Sequence, residues 1–258
     1  MNRNLFIVSI LWLFIATTGW SQKLELAPTP LAGGFSAERL KVLDTRLNEW
    51  VEKGWMQGGT ALIARNGKIV YYKAVGYNDM EAKVVMKKND IFRIASQTKA
   101  ITSVAIMVLF EEGKLLLDDP VSKYLPAFRK QQVLATFNEI DTTYTTVPAK
   151  SEITIRQLLT HTSGLGYAQI GSKEANAIYA KASLTAGIGV VGDDLLSAMN
   201  RLGKLPLMHQ PGERWTYGLN TDLLGCLVEQ IAGKTLDQFF KEKIFEPLGM
   251  KDTHFHLP

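Results

Sequence analysis

Ser96 and Lys99 open the stretch "SQTKAITSVAIMVLFEEGK", three residues apart, and the segment after them is mostly apolar. Residues at that spacing on a helix share a face, about one turn apart. A serine hydroxyl is a weak nucleophile at neutral pH and needs a neighbour to take its proton. A lysine can serve when burial disfavours its charged form. Ile101, Val104, Ala105, Ile106, Val108 and Leu109 are the residues expected to bury it. Amides at the start of the helix would favour negative charge developing at an attacked carbonyl. The chemistry would be covalent acyl transfer. The plainer alternative is that Ser96 caps the helix, because Ser-x-x-Lys is common and stands only as a hypothesis by itself.

Other residue types offer less. His161 in "LLTHTSGL" could be a general base, but a turn ending the preceding helix is the better expectation. His254 and His256 would share a face of a strand. No third ligand lies near them, so they read as surface residues and no metal is called for. Gly-x-Ser-x-Gly is absent, which argues against an α/β-hydrolase. Asp118-Asp119-Pro120 reads as a turn. Cys226, the single cysteine, lies in the apolar run "TDLLGCLVEQIAG". It is expected to be a small buried hydrophobe, and no disulfide can form within the chain.

These groups need a framework to position them. The chain has 258 residues, 46% of them hydrophobic, enough for a sizeable core. Its net charge of +4 is spread among acidic residues and gathers into no basic run, so nucleic acid is not an expected partner. Residues 1–21 carry Arg3, an apolar run from Leu5 to Ala16, and small residues at Gly19 and Ser21. That run is short of the roughly 20 residues a bilayer takes. It reads as a cleaved signal peptide, which gives a periplasmic or secreted protein without a stable membrane anchor. Residues 22–35 read as a leader, and 36–258 as one domain.

Within that domain Ser36 is placed to cap a helix carrying Leu40, Leu43, Leu47, Trp50 and Val51 on one face, with Gly54 as its stop. "GTALIARNGKIVYYKAVGYND" is two strand-like runs around Asn66-Gly67, a type I′ hairpin signal. A helix followed by an antiparallel hairpin argues for an α+β fold. The helix beginning near Ser96 should run to Glu112, and the segments beyond Gly113 read as further helices. Thr235 should cap one of these, through Phe239, Phe240 and Ile244.

The order "FRIASQTKAITSVAIMVLFEEGKLLLDDPVSKYLP", "ITIRQLLTHTSGL", then "PGERWTYGLNTDLLGCLVEQIAGKTLDQFFKEKIFEPLGMKDTHFHLP" resembles the β-lactamase-related serine hydrolases. That family includes class C β-lactamases, D-alanyl-D-alanine carboxypeptidases and related esterases. The resemblance runs from the Ser36 helix to the last residue. It implies a β-lactamase/transpeptidase-like α+β fold, an antiparallel sheet flanked by helices plus a mostly helical region. It also implies Ser96 as nucleophile, Lys99 as its partner and Tyr217 as the second motif's tyrosine. Physical chemistry gives Tyr217 a role beside that resemblance: a phenol ordinarily titrates near 10, and a neighbouring ammonium favours phenolate. Tyr217 could then take the Ser96 proton.

Two departures qualify the resemblance. The family usually has Tyr-x-Asn, whereas Leu219 holds that third position and Asn220 follows one residue late. Asn220 is the candidate substrate contact, and the shift leans the reading towards esters over lactams or peptides. The family's third motif, Lys or His, any residue, then Gly, would lie beyond Pro258, on a strand that also gives an oxyanion-hole amide. "GKTL" at Gly233 is not that motif. The chain therefore reads as a truncated frame or fragment of a longer hydrolase, or as a short natural relative, without the family's last strands. The expected function is serine hydrolysis of an ester, β-lactam or D-amino-acid peptide, with no cofactor. The alternatives are a non-catalytic cell-wall peptide binder and an inactive fragment.

Overall fold

A computed structural model describes residues 24–184 and 194–257, so the stretch read as a signal peptide lies outside the described residues. The chain divides into two compact units, one ending at Phe92 and one beginning at Arg93.

The first unit is built on the expected hairpin. It comprises β1 (Glu25–Leu26), α1 (Ala37–Glu52), β2 (Gly58–Arg65), β3 (Lys68–Asp79) and β4 (Val84–Val85). Asn66 and Gly67 both have positive φ, 51° and 72°, as a type I′ turn requires. The leader is not a free linker: Pro30–Gly33 form a 3₁₀ turn, and β1 pairs in parallel with β3. The strand order is β1-β3-β2, with β4 also on β3. Among the described residues, the outer edge of β2 has no strand partner. The Ser36 hydroxyl caps α1 by accepting from the Arg39 N–H at 3.2 Å. On its apolar face Leu40 is buried, but Leu43 and Trp50 remain exposed. Asp44 ties α1 to β3, accepting from the Tyr71 hydroxyl at 2.8 Å and pairing with Lys73 at 3.4 Å.

The second unit begins with a 3₁₀ turn, Ala95–Gln97, that leads into α2 (Thr98–Glu111). A hairpin comes next, β5 (Gln132–Phe137) and β6 (Tyr144–Pro148). This corrects the expectation of helices throughout the region after Gly113. The strands are short and mostly exposed, so their alternation carries few apolar residues to signal it. Then come α3 (Ile155–Leu159), α4 (Lys173–Lys181), α5 (Leu195–Leu202) and α6 (Asn220–Ala232). Finally, α7 (Leu236–Phe240) runs through a π-helical turn, Lys241–Phe245, into α8 (Glu246–Leu248).

The core of this unit surrounds α6, which packs on α2, α3, α5 and α7. Leu223, Leu224, Leu227 and Val228 of α6 and Ile106 and Leu109 of α2 are essentially without solvent contact. Each such side chain contributes roughly 1.5–3 kcal/mol on burial, which makes the pair α2 and α6 a stiff frame. Cys226 is buried among them, and burial pushes its thiol up to about 12. Thr235 occupies the cap position of α7 but makes no side-chain capping bond. The Glu229 carboxylate takes the Leu236 N–H instead, at 2.8 Å. Among the described residues no helix is long and apolar enough to cross a membrane.

Candidate active site

Ser96 lies in the 3₁₀ turn at the start of α2, and its hydroxyl does not cap that helix; Gln97 is the cap residue and makes no side-chain bond. The residue before it, Ala95, has φ 44°. Left-handed backbone is uncommon for a residue with a Cβ, and it sets the aim of the turn. The Ser96 Oγ stands 2.8 Å from the Tyr217 hydroxyl and accepts from Lys99 Nζ at 3.3 Å. Lys99 also sits over the Tyr217 ring, 5.0 Å from its centroid. The three residues the resemblance singled out are thus in mutual contact, although 121 positions separate Ser96 from Tyr217.

The burial expected around Lys99 is incomplete. Ala105, Ile106 and Leu109 turn into the core, but Val104 is 49% exposed and Lys99 itself is half-buried. The electrostatic consequence falls on Tyr217. Its phenol is held below the usual range by the Lys99 hydrogen bond first, then by the Ser96 hydroxyl; burial and Asp222 oppose this. Asp222, in the first turn of α6, is a carboxylate raised by burial and drawn down by Lys99.

Tyr217 is held by backbone bonds between the loop at residues 161–166 and the segment 208–219. The Thr216 N–H donates to the His161 carbonyl at 2.8 Å, Leu219 to Gly166 at 3.0 Å, Gly212 to Thr162 and Met208 to Gly164, both at 2.7 Å. Gly164 permits this approach: its φ is 93°, and a Cβ there would meet the His209 carbonyl at 2.4 Å. The buried His209 reinforces the run through Nε2, 2.9 Å from the Thr216 hydroxyl. The Tyr217 ring stacks with His161, at 5.5 Å and 11°, and with Tyr167, at 5.4 Å and 26°. Trp215 lies tilted nearby and largely exposed.

Asn220 corrects the sequence reading. It is completely buried, its Oδ1 accepts from the Ser163 hydroxyl, and its Nδ2 donates to His161 Nδ1 at 3.0 Å. An amide with both ends occupied and no exposed surface does not contact a substrate. His161 does end α3 in a turn, with φ 55°, and it also packs directly on Tyr217. His254 and His256 are exposed on the carboxyl-terminal stretch. Asp118 pairs bidentately with Arg156 at 2.7 and 2.8 Å. Asp119 closes a turn on the Leu116 N–H, Lys123 and Tyr124.

A cavity of about 430 Å³ adjoins Tyr217, lined among others by Thr136, Phe137, Tyr167, Glu174 and Arg214. It offers apolar surface, hydroxyls and one charge of each sign. Strand β5 of the hairpin, unforeseen in the sequence, supplies one of its walls. Tyr167, His209 and Asp222 were also missed. Tyr167 follows "SGLG", a turn signal, but aromatic stacking across 50 residues leaves no local mark.

Comparison with known proteins places this geometry. The family described as Beta-lactamase matches residues 43–258, and the chain belongs to that family. Esterase EstB of Burkholderia gladioli is 36% identical over 213 residues, which make up 83% of this chain and 50% of that protein. The solved structure of EstCE1, a hydrolase with promiscuous acyltransferase activity, superposes with a TM-score of 0.70 at 32% identity, covering 81% of this chain and 51% of that one. Simvastatin synthase (LovD) from Aspergillus terreus gives 0.67 at 28% identity, covering 83% and 52%. The fold is the α+β, β-lactamase-like one expected. The chain spans about half the length of these relatives.

Proposed function

We propose that the protein is a serine hydrolase that forms an acyl-enzyme on Ser96 and prefers esters to β-lactams or D-amino-acid peptides. The observation that carries this is the contact of Ser96 Oγ with the Tyr217 hydroxyl at 2.8 Å, beside the Lys99 ammonium. Tyr217, as phenolate, takes the Ser96 proton while Oγ bonds to the ester carbonyl carbon. The tetrahedral intermediate collapses, the C–O bond to the alcohol breaks, and Tyr217 returns the proton to the departing oxygen. A water then repeats the sequence on the acyl-serine and releases the acid. Lys99 stabilises the phenolate in both halves. The start of α2 favours the negative charge that develops next to Ser96.

The ester preference is supported by the second motif. Leu219 is buried and the Asn220 amide is committed to Ser163 and His161, so neither presents an amide to a substrate. The printed names of EstB and EstCE1 point the same way. The signal-peptide pattern at residues 1–21 supports export as the setting.

The test uses the protein expressed from its complete reading frame. A fluorophosphonate probe should phosphonylate Ser96, located by mass spectrometry, and should leave Ser96→Ala unlabelled. p-Nitrophenyl acetate should be turned over with a higher kcat/KM than a chromogenic cephalosporin. Labelling elsewhere, or none, would overturn the acyl-enzyme reading in favour of a binding protein. A higher kcat/KM for the cephalosporin would overturn the ester preference.

A further inference from the structure

His161, half-buried, and Asn220 and Ser163, fully buried, form a hydrogen-bond chain whose direction can be read. Ser163 Oγ accepts from the Leu165 N–H at 3.1 Å, so its own hydrogen is free to point at Asn220 Oδ1. Asn220 Nδ2 is thereby turned to His161 Nδ1, at 3.0 Å. Flipping the amide would put its NH₂ against Ser163 and leave the serine hydrogen without an acceptor. Ser163 and Asn220 are both fully buried, where an unsatisfied polar group is strongly disfavoured. Nδ1 therefore faces a donor and must offer a lone pair.

We propose that His161 is a positioning residue for Tyr217, held by this chain as a neutral imidazole with its proton on Nε2. The proposal rests on Ser96 and Tyr217 being the reacting pair of an acyl-enzyme hydrolase. A second proton has no place at Nδ1, where two donors would meet. The surroundings agree on balance: burial first, then the Lys99 ammonium, push His161 below its ordinary value, against a hydrogen bond to the Thr216 backbone that raises it. The titratable and charged groups that face it are Lys99 from α2 and Tyr217 from the loop before α6. A neutral ring can stack flat on the Tyr217 phenol without competing with Lys99 for its charge. An imidazolium would repel Lys99, break the bond to Asn220 and loosen the stack. The left-handed backbone at His161 and its carbonyl bond to the Thr216 N–H fix the ring from the other end.

The experiment combines two readouts on the protein from its complete reading frame. In ¹⁵N-histidine NMR, with the signal assigned by His161→Phe, His161 should show an unprotonated Nδ1 and a protonated Nε2 at neutral pH. Asn220→Asp replaces the donor by an acceptor, so the proton should move to Nδ1 and the titration midpoint should rise. In fluorophosphonate labelling of Ser96, His161→Ala should lose about ten- to a hundredfold in rate, the scale of misplacing a reacting group by an ångström. His161→Phe should recover part of that loss, and thermal melting should show both variants folded. Asn220→Asp should slow labelling most at low pH, where its imidazolium persists. A proton on Nδ1 in the unaltered protein would overturn the proposal. So would His161→Ala labelling at the unaltered rate. If Ser96 of the unaltered protein takes no label, the acyl-enzyme reading falls and the positioning role with it, a result distinct from normal labelling insensitive to these variants.

Discussion

Gly218 lies between Tyr217 and Leu219 in a space that admits no side chain. A Cβ there would stand 2.1 Å from the Leu165 carbonyl oxygen and 2.7 Å from that of Gly166. Such contacts do not occur below about 3 Å, so Gly218→Ala must open the two loop runs by roughly 1 Å. The obstacles are backbone oxygens, which cannot swing aside as the end of a side chain would. The Leu219 bond to Gly166 at 3.0 Å lies at the point of collision, and Tyr217 is the adjacent residue. A 1 Å retreat takes its hydroxyl from 2.8 Å to beyond hydrogen-bond reach of Ser96. Displacement on that scale costs about a hundredfold in rate. The overpacking itself costs about 1–3 kcal/mol of stability. The assay is the rate of Ser96 phosphonylation in Gly218→Ala, measured well below its melting temperature, with the melting temperature recorded in parallel. A lowered melting temperature with an unchanged labelling rate would refute the claim that Gly218 sets the tyrosine. An unchanged melting temperature would refute the steric argument altogether.

Electrostatics and burial lead to two further outcomes. Because Tyr217 acts as phenolate and Lys99 holds its phenol low, the labelling rate should rise with pH through the depressed value and level off below about 10, the ordinary phenol value. Lys99→Met should carry that limb upward, at about tenfold in rate at neutral pH for each unit moved. In stability the sign is that of any depressed acid: the phenolate's contribution is complete above the unfolded value and is lost as pH falls through the folded one. Cys226, with its buried thiol at about 12, should stay unreactive towards a water-soluble disulfide reagent until global unfolding. Fast modification under native conditions would contradict the packing of α6 against α2 and its other neighbours.

How much of this could be read from the sequence depended on how local each signal is. Asn66-Gly67 and the cap at Ser36 are decided within four residues, and the structure has both where they were expected. Ser96 and Lys99 are legible for the same reason, since one helical turn brings them together. Tyr217 is not local. Only the family resemblance connected it to Ser96, because the contact is made by α2 and α6 packing across the core. Asn220 shows the limit of carrying a motif by position: one residue of register turned the amide into the buried contact with Ser163 and His161 at the start of α6. The desolvated lysine also came out differently, since an apolar run after a charged residue does not say which side of the helix the run covers. Lys99 kept part of its exposure, and its charge shifted the tyrosine.

The loop pair that holds Tyr217 explains why the site residues need so little sequence around them. His161 meets Thr216, Gly164 meets Met208 and His209, and Gly166 meets Gly218 and Leu219, through backbone bonds and through contacts that exclude a Cβ. Backbone pairing specifies position without specifying side chains, so the two glycine-bearing segments "THTSGLG" and "MHQPGERWTYGLN" can define the geometry almost alone. The side chains that do matter there are those whose hydrogen bonds point in one direction. Ser163 orients Asn220, Asn220 orients His161, and the His161 ring supports Tyr217, so a buried amide with no exposed surface still bears on the nucleophile through the two rings between them.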